Sequence, residues 1–296
     1  VNSISSPQLG GENDLPAAFR IKNEIQIERR YLFTATNNDV SQHTFNAAPN
    51  LGRQLNISWG TGADSYAGSE MYDLEYTFYD DSSEVADRIR ALNSPANISA
   101  GNITVTQTEL SGWFKNNSTR ITTASPAYMV NMTYADGFFL YRIRGVRINP
   151  LDNERQETDW SYQAAGGTGT VSTVVRLDQA HEPALNWQYT AAFAEEGKRK
   201  EVITYFDGTL RNRQMVTLNN SDNRAIVQEN ILDVMGRSGL NFLPSPEPNS
   251  SLHFFSNLNT TQSGNEPYSF LQLASDTTAC LMAPEPAGIS SGASRY

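Results

Sequence analysis

Apolar residues alternate with polar residues through much of this chain, and this spacing limits what it can fold into. Between Leu55 and Trp59, and again between Tyr72 and Phe78, every second residue is aliphatic or aromatic. Successive side chains of a β-strand point to opposite faces, so each segment predicts a strand with one buried face. Turn-forming residues separate the segments. The first half of the chain is therefore predicted to be a β-sandwich, and the whole chain to be all-β.

The remaining strands of this half follow the same pattern. They are predicted at residues 103–105, 118–122, 128–132 and 138–148. In the last of them, Arg142 and Arg144 are predicted on the face opposite the apolar one. One short helix is predicted after residue 83, with Val85, Ile89 and Leu92 as its apolar positions.

Two strand–turn–strand units follow one another after residue 186. Their turn aspartates, Asp207 and Asp233, are 26 residues apart. Such spacing is typical of a β-hairpin repeat, in which each unit buries its face against its neighbour. In these turns we expect aspartates that bind backbone, glycines with positive φ, and arginines that pair with carboxylates across the sheet. The six predicted structural residues are Asp207, Gly208, Arg211, Asp233, Gly236 and Arg237.

Length and charge exclude several classes of protein. A chain of 296 residues predicts more than one domain, here a linker at 1–20, a sandwich at 21–180 and a repeat region at 181–296. The net charge of −10 argues against a nucleic-acid partner and against binding to an anionic membrane surface. The sequence has no run of 18 apolar residues, so no membrane insertion is expected.

Cysteine content and surface composition point to export. Cys280 is the only cysteine, so neither an internal disulfide nor a cysteine-based metal centre is expected. Only 18% of the residues are charged, which suits an exported β-rich protein and predicts an extracellular or cell-surface location. Both ends read as those of a piece of a longer polypeptide.

The second half of the chain resembles a known family. Residues 205–211, with a weaker echo at 232–237, resemble the Tyr-Asp repeats of RHS proteins, and 186–246 is similar to the start of the RHS region. The first half resembles the fibronectin type III-like domain that precedes this region in large secreted proteins of gliding-type bacteria.

The resemblance implies a function that involves no catalysis. RHS repeats wind a long β-sheet into a shell that encloses a C-terminal toxin, or they build a large surface structure, and this bacterial group exports such proteins by type IX secretion. This chain has two repeat units rather than dozens and lacks a self-cleaving core motif. The resemblance therefore implies a scaffold fragment whose partners are the rest of its polypeptide or other surface-protein chains.

Catalytic and metal-binding interpretations have weaker support. The three histidines, His43, His181 and His253, are far apart in sequence and match no hydrolase or metalloprotease motif. Acidic pairs at 80–81, 157/159 and 195–196 offer carboxylates for general acid–base catalysis, and 80–84 offers oxygen ligands for calcium. All lie in turn-like segments, where solvated carboxylates are common. We therefore expect no enzyme activity, no cofactor and no metal.

Aromatic residues in loops support an alternative function. Trp113, Trp160 and Tyr66 are predicted in or beside loops, where exposed rings stack on sugars or anchor a partner protein. The alternative to a scaffold is therefore an adhesin module that binds carbohydrate or a cell surface through the sandwich loops.

Overall fold

The computed structural model describes residues 42–45 (backbone only), 53–59, 69–149, 152–161, 174–219, 224–247, 250–256 and 258. All of them fall within one compact unit, residues 33–296. The strands in these ranges form antiparallel sheets, so the predicted all-β class is confirmed. No helix in the same ranges is long and apolar enough to cross a membrane. The predicted linker at 1–20 lies outside the described residues.

The first half is a two-sheet sandwich. One sheet has the order β1-β2-β5, formed by Gln42–Phe45, Gln54–Ser58 and Ala127–Asn131. The other has the order β4-β3-β6-β7, and β8 also pairs with β6. Its strands are β3 (Met71–Asp80), β4 (Thr119–Thr123), β6 (Gly137–Ile148), β7 (Arg155–Glu157) and β8 (Val174–Leu177). Apolar side chains from both sheets, such as Leu55, Ile57, Leu74 and Ile143, form the core between them.

Helices cover the other face of the larger sheet. They are α1 (Glu84–Leu92), α2 (Pro95–Ser99) and α3 (Gln107–Asn116). The predicted helix corresponds to α1, whereas α2 and α3 were not predicted. The predicted strand at 103–105 is wrong, because this segment has irregular backbone and leads into α3. A second core lies beneath the helices, formed by Ala86, Ile89, Ile103, Leu110, Phe114, Phe138, Leu140, Trp160 and Val174.

Charged residues of the larger sheet are also buried. Asp73 is fully buried and Glu75 is 3% exposed. Nε of Arg144 donates to Oδ2 of Asp73 at 2.9 Å, and Nη2 of Arg120 donates to Oε1 of Glu75 at 3.0 Å. Arg142 also pairs with Glu75, and Arg155 pairs with Asp73. The face that alternation assigned to polar residues is thus a buried layer of ion pairs.

The second half is a five-stranded meander with the order β13-β12-β11-β10-β9. Its strands are β9 (Asn186–Phe193), β10 (Arg199–Phe206), β11 (Asn212–Asn219), β12 (Arg224–Leu232) and β13 (Ser238–Pro246). A short 3₁₀ turn at Glu195–Gly197 connects β9 to β10. Residues 250–258, which we call the strap, cover one face of this sheet. Leu252, Phe255 and Leu258 of the strap are buried against Ile203, Val216 and Val227.

Removing the N-cap of α1 tests how much this helix contributes to the stability of the fold. The Ser83 hydroxyl accepts a hydrogen bond from the backbone N–H of Ala86 at 3.2 Å. We expect Ser83→Ala to lower the free energy of unfolding by about 1 kcal/mol, the usual loss for a removed N-cap. Ser94→Ala removes the equivalent cap of α2, which has no fully buried side chain, and should cost less. Urea denaturation of both variants tests this, and equal losses would contradict a stabilising role specific to α1.

Candidate docking edge of the C-terminal sheet

The first turn, between β10 and β11, is organised by Asp207. Its Oδ1 accepts hydrogen bonds from the backbone N–H of Thr209 at 2.8 Å and of Arg211 at 2.9 Å, and its Oδ2 accepts one from Nε of Arg211 at 2.9 Å. The backbone N–H of Asp207 donates to the carbonyl of Arg211, and that of Leu210 donates to the carbonyl of Asp207. One carboxylate therefore fixes both the backbone and the arginine of this turn.

The second turn, between β12 and β13, repeats this arrangement. Oδ1 of Asp233 accepts from the backbone N–H of Met235 at 2.9 Å and of Arg237 at 2.8 Å, and Oδ2 accepts from Nε of Arg237 at 2.8 Å. The backbone N–H of Asp233 donates to the carbonyl of Arg237, as in the first turn. Segments 207–211 and 233–237 thus have the same hydrogen-bond pattern despite sharing only their aspartate and arginine.

The pKa values of the two turn aspartates reflect these bonds. Hydrogen bonding from the backbone N–H of Arg211 is the main reason that the pKa of Asp207 lies well below its usual range. The backbone N–H of Arg237 likewise lowers the pKa of Asp233. Both carboxylates are therefore ionised at neutral pH, as their arginine partners require.

Two expectations for the turns are wrong. The positive φ of the first turn belongs to Leu210, at 62°, and not to Gly208, because the left-handed residue is the one directly before the arginine. Gly236 occupies that position in the second turn, with φ of 77°. Arg211 and Arg237 do not pair with carboxylates across the sheet, since each bonds to the aspartate four residues earlier in its own turn.

The two turns also contact each other, through Arg211 and Gly236. A Cβ added to Gly236 would lie 1.1 Å from Nη1 of Arg211 and 2.2 Å from its Cζ. The guanidinium of the first turn therefore packs directly on the glycine of the second. This contact joins one hairpin to the next at the turn end of the sheet.

β13 presents an open edge beside the second turn. Among the described strands it pairs only with β12. Large apolar side chains are exposed near this edge: Val234 and Met235 in the second turn are 83% and 72% exposed, and Leu243 on β13 is 68% exposed. Pro244 and Pro246 lie in the last part of β13, so the stretch before them, 238–243, carries the backbone donors available to another strand.

A buried ion pair lies at the opposite end of the same sheet. Nε of Arg199 is 2.5 Å from Oε2 of Glu201, and both side chains are 3% exposed. Asn131 of the sandwich donates to Oε2 of Glu201 at 2.8 Å, and the Tyr189 hydroxyl donates to Oε1 at 2.6 Å. Burial opposes the charge of Arg199, but Glu201 and Tyr128 keep its pKa above the usual value. The group connects the sandwich to the C-terminal sheet.

Strap residues are held by side chains from three parts of the chain. Gln54 of β2 donates to the carbonyl of Ser250 at 3.0 Å. Oε1 of Gln214 accepts from the backbone N–H of Phe255 at 2.8 Å, and its Nε2 donates to the carbonyl of the same residue at 3.0 Å. Oε1 of Glu182 accepts from the backbone N–H of Phe254 at 2.9 Å.

Trp113 and Trp160, two of the predicted ligand-binding aromatics, do not form an exposed surface. Trp160 is 9% exposed and packs in the core beneath the helices, with the guanidinium carbons of Arg142 and Arg144 at 4.2 and 4.4 Å from its ring. Trp113 lies within α3 and is half-buried against the same core. Burial prevents Trp160 from stacking on a ligand. Tyr66 lies outside the described residues.

Four of the carboxylates considered for catalysis or calcium binding have arginine, lysine or serine partners among the described residues. Asp81 pairs with Arg90 and Arg176, and Oδ1 of Asp80 accepts from Ser82. Glu157 pairs with Arg144 and Arg155, and Glu196 with Lys198. A cavity of about 320 Å³ includes Asp81, Arg90 and Arg176 in its lining, and these three charges neutralise one another in part. The described residues contain no metal-binding group of histidine, cysteine and carboxylates.

Neither His181 nor His253, the two histidines whose side chains are described, has both a serine hydroxyl and a carboxylate as partners. His181 lies 3.3 Å from Oε2 of Glu182 through its Nε2, and Nδ1 of His253 lies 3.2 Å from the Ser251 hydroxyl. The side chain of His43 lies outside the described residues. Sequence reasoning missed the role of Glu182, which also accepts a hydrogen bond from the Tyr205 hydroxyl. The only local signal was a glutamate beside a histidine just before β9.

Two glutamates of the sheet are buried without full hydrogen bonding. Oε2 of Glu229 and Oε1 of Glu247 have no hydrogen-bond partner among the described residues. Burial raises the pKa of each glutamate to about 7. The folded protein therefore keeps these protons over a pH range in which the unfolded chain loses them.

This difference in pKa predicts that Glu229→Gln increases the free energy of unfolding by an amount that depends on pH. As the pH rises from about 4.5, the unfolded carboxyl ionises first, so the wild type loses stability until the pH passes about 7. We expect the variant to be increasingly more stable than the wild type between pH 5 and pH 7.5, by about 2 kcal/mol at the plateau after relaxation of the site. Urea denaturation at several pH values measures this. A stability difference that stays constant with pH would contradict this prediction. The double variant Glu229→Gln/Glu247→Gln should show a larger increase in stability than Glu229→Gln.

Comparison with known proteins assigns a family model to the second half. Residues 182–279 match a domain of unknown function, DUF6443. No curated protein matches the chain. The matched range contains β9 to β13, both aspartate turns and the strap. The contacts of Asp207, Asp233, Arg211 and Gly236 are therefore part of the matched domain, which has no assigned activity.

Proposed function

We propose that this chain is a non-enzymatic module of an exported scaffold, in which an RHS-type sheet grows by the addition of β-hairpins at β13. The observation that carries the proposal is the repeated turn. Asp207 and Asp233 make the same bonds 26 residues apart, and Arg211 of one turn packs on Gly236 of the next. A pattern that already joins two hairpins is suited to joining more.

The open edge and the sandwich give further support. Exposed Val234, Met235 and Leu243 beside β13 would be covered by a following hairpin. The sheet orders β1-β2-β5 and β4-β3-β6-β7 agree with a fibronectin type III-like sandwich, as expected for the module that precedes an RHS region. The proposed division at 180/181 falls between β8, which ends at Leu177, and β9, which begins at Asn186. The burial of Trp160 removes one support of the adhesin alternative.

Hydrogen–deuterium exchange on the isolated chain and on the intact source protein tests the scaffold proposal. We expect to find the intact protein in the cell-surface fraction or in the medium. In the intact protein, the amides of residues 239–243 should exchange at least tenfold more slowly than in the isolated chain. The amides of β11, which is paired on both sides, are the internal control and should exchange equally in both samples. Equal exchange of 239–243, or an intact protein found in the cytosol, would overturn the proposal.

A further inference from the structure

The strap covers one face of the C-terminal sheet without joining its ladder of strands. Its described residues form neither helix nor strand. Side chains from other segments hold its backbone: Glu182 accepts from the N–H of Phe254, and Gln214 bonds to both the N–H and the carbonyl of Phe255. The strap can therefore leave the sheet while the pairing of β9 to β13 stays intact.

Glu229 lies on the face that the strap covers. Val227 of this face packs in one core with strap residues, and Glu229 is two residues further along β12, so its side chain points the same way. It stands directly opposite Gln214, the residue that holds Phe255. Glu229 is 8% exposed, and its Oε2 has no hydrogen-bond partner among the described residues.

Glu247 lies on the same face, beyond the end of β13. Ser245 stands opposite Val227, and Glu247 follows Ser245 by two residues. The backbone N–H of Glu247 donates to the carbonyl of Ala225, so the strand pairing continues to this residue. Glu247 is also 8% exposed, and its Oε1 has no hydrogen-bond partner in the described part of the chain. A charge on either glutamate would be buried with no bond to that oxygen, which is costly.

We propose that the strap is a pH-sensitive cover, which is held most firmly in mildly acidic solution and opens increasingly as the pH rises to neutrality, because opening lets Glu229 and Glu247 ionise in water. The ordinary pKa of a glutamate is about 4.5, and burial raises the pKa of both residues to about 7 in the closed form. Between these values the open form releases protons that the closed form keeps, so a rising pH favours opening until it passes about 7.

Other ionisable groups of this face and of the strap do not reverse the trend. Burial lowers the pKa of His253, so this one histidine opposes the two glutamates below about pH 6.5 and has no effect above it. Burial opposes the charge of Glu182, but hydrogen bonds from His181 and Tyr205 lower its pKa, so it titrates below the range in question. The remaining groups are tyrosines with raised pKa values, an internal ion pair and an exposed arginine: Tyr189, Tyr205, Arg199 with Glu201, and Arg213.

Hydrogen–deuterium exchange of the full chain at about pH 5 and about pH 7.5 tests this inference. The amides of Phe254 and Phe255 are the probes, because both are hydrogen-bonded in the closed strap. After correction for the intrinsic exchange rate at each pH, we expect their protection to fall at least tenfold between the two conditions. At about pH 7.5 they should also exchange at least tenfold faster than the amides of β11, because the strap opens while the sheet stays folded.

Variants of the full chain test whether the two glutamates are the cause. In Glu229→Gln/Glu247→Gln neither side chain can ionise, so the protection of the strap amides should no longer fall as the pH rises. The matched control is Glu196→Gln, which alters a largely exposed glutamate and should keep the wild-type fall. Each single variant, Glu229→Gln or Glu247→Gln, should reduce the fall by about half on a logarithmic scale, and these variants decide the matter if the double variant does not fold.

Each contrary outcome overturns a stated part of the inference. Equal protection of the strap and β11 amides at about pH 7.5 would show that the strap opens only when the whole fold does. A fall in protection that the double variant retains would remove the role of the glutamates. Protection that rises with pH in the wild type would show that His253 controls the strap instead. Hairpin addition at β13 is not involved in these measurements, so the scaffold proposal is tested separately.

Discussion

Replacing Glu201 with alanine is expected to lower the free energy of unfolding by about 3–5 kcal/mol, because it leaves the Arg199 guanidinium charged and buried. Both side chains are 3% exposed, so water cannot replace the lost partner without opening the site. Asn131 and Tyr189 also lose their acceptor. Guanidinium chloride denaturation, followed by tryptophan fluorescence, measures the loss.

An exposed ion pair provides the matched control for this variant. Glu196 pairs with Lys198 at 2.9 Å, and both side chains are largely exposed. Glu196→Ala should change the free energy of unfolding by less than about 0.5 kcal/mol, since solvent screens such pairs. The double variant Arg199→Met/Glu201→Leu removes both charges and should recover at least half of the loss. A double variant as unstable as Glu201→Ala would show that the buried charge is not the cause.

Gly236→Ala is expected to destabilise the protein by about 3 kcal/mol, with two contributions. The left-handed φ costs alanine about 1–2 kcal/mol relative to glycine. The new Cβ also overlaps the guanidinium of Arg211, which has to leave its place between the two turns. Urea denaturation of the full chain measures the total.

Other residues of the turns separate these contributions. Gly208 has no positive φ, and a Cβ there meets no atom within 4 Å, so Gly208→Ala should change stability by less than about 0.5 kcal/mol. Leu210→Gly should stabilise the protein by up to about 1 kcal/mol, because it relieves the left-handed φ of an exposed leucine. If Gly208→Ala were as harmful as Gly236→Ala, the contact with Arg211 would not explain the requirement for glycine.

Most of the longer strands were predictable from sequence because alternation reports directly on a strand with one buried face, whereas the short strands β1, β7 and β8 were not predicted. Tyr72, Leu74 and Tyr76 were correctly predicted to be buried on one face of β3. Alternation could not reveal that Asp73 and Glu75 are buried on the other face. Their charges are satisfied by arginines distant in sequence, namely Arg120, Arg142, Arg144 and Arg155. A polar residue looks the same in sequence whether water or an arginine satisfies it.

The candidate docking edge was predictable only in part, for a related reason. The aspartate turns have a local signal, since an aspartate followed closely by glycine favours a turn. The packing of Arg211 on Gly236 joins residues of different hairpins, and only the arrangement of β11 beside β12 reveals it. The buried pair of Arg199 and Glu201 had no signal either, because charged residues between a turn and a strand give no sign of burial in the sequence.

The position of the strap after the sheet that it covers has a consequence for biosynthesis. Residues 250–258 are the last of the described residues to leave the ribosome, yet they cover Ile203, Val216 and Val227 and bond to Gln54 of β2. The meander can form its local pairings as it is synthesised, but its apolar face stays open until residue 258 has emerged. The partly made chain therefore exposes an uncovered sheet during translation, the interval in which a holdase chaperone would protect it from aggregation.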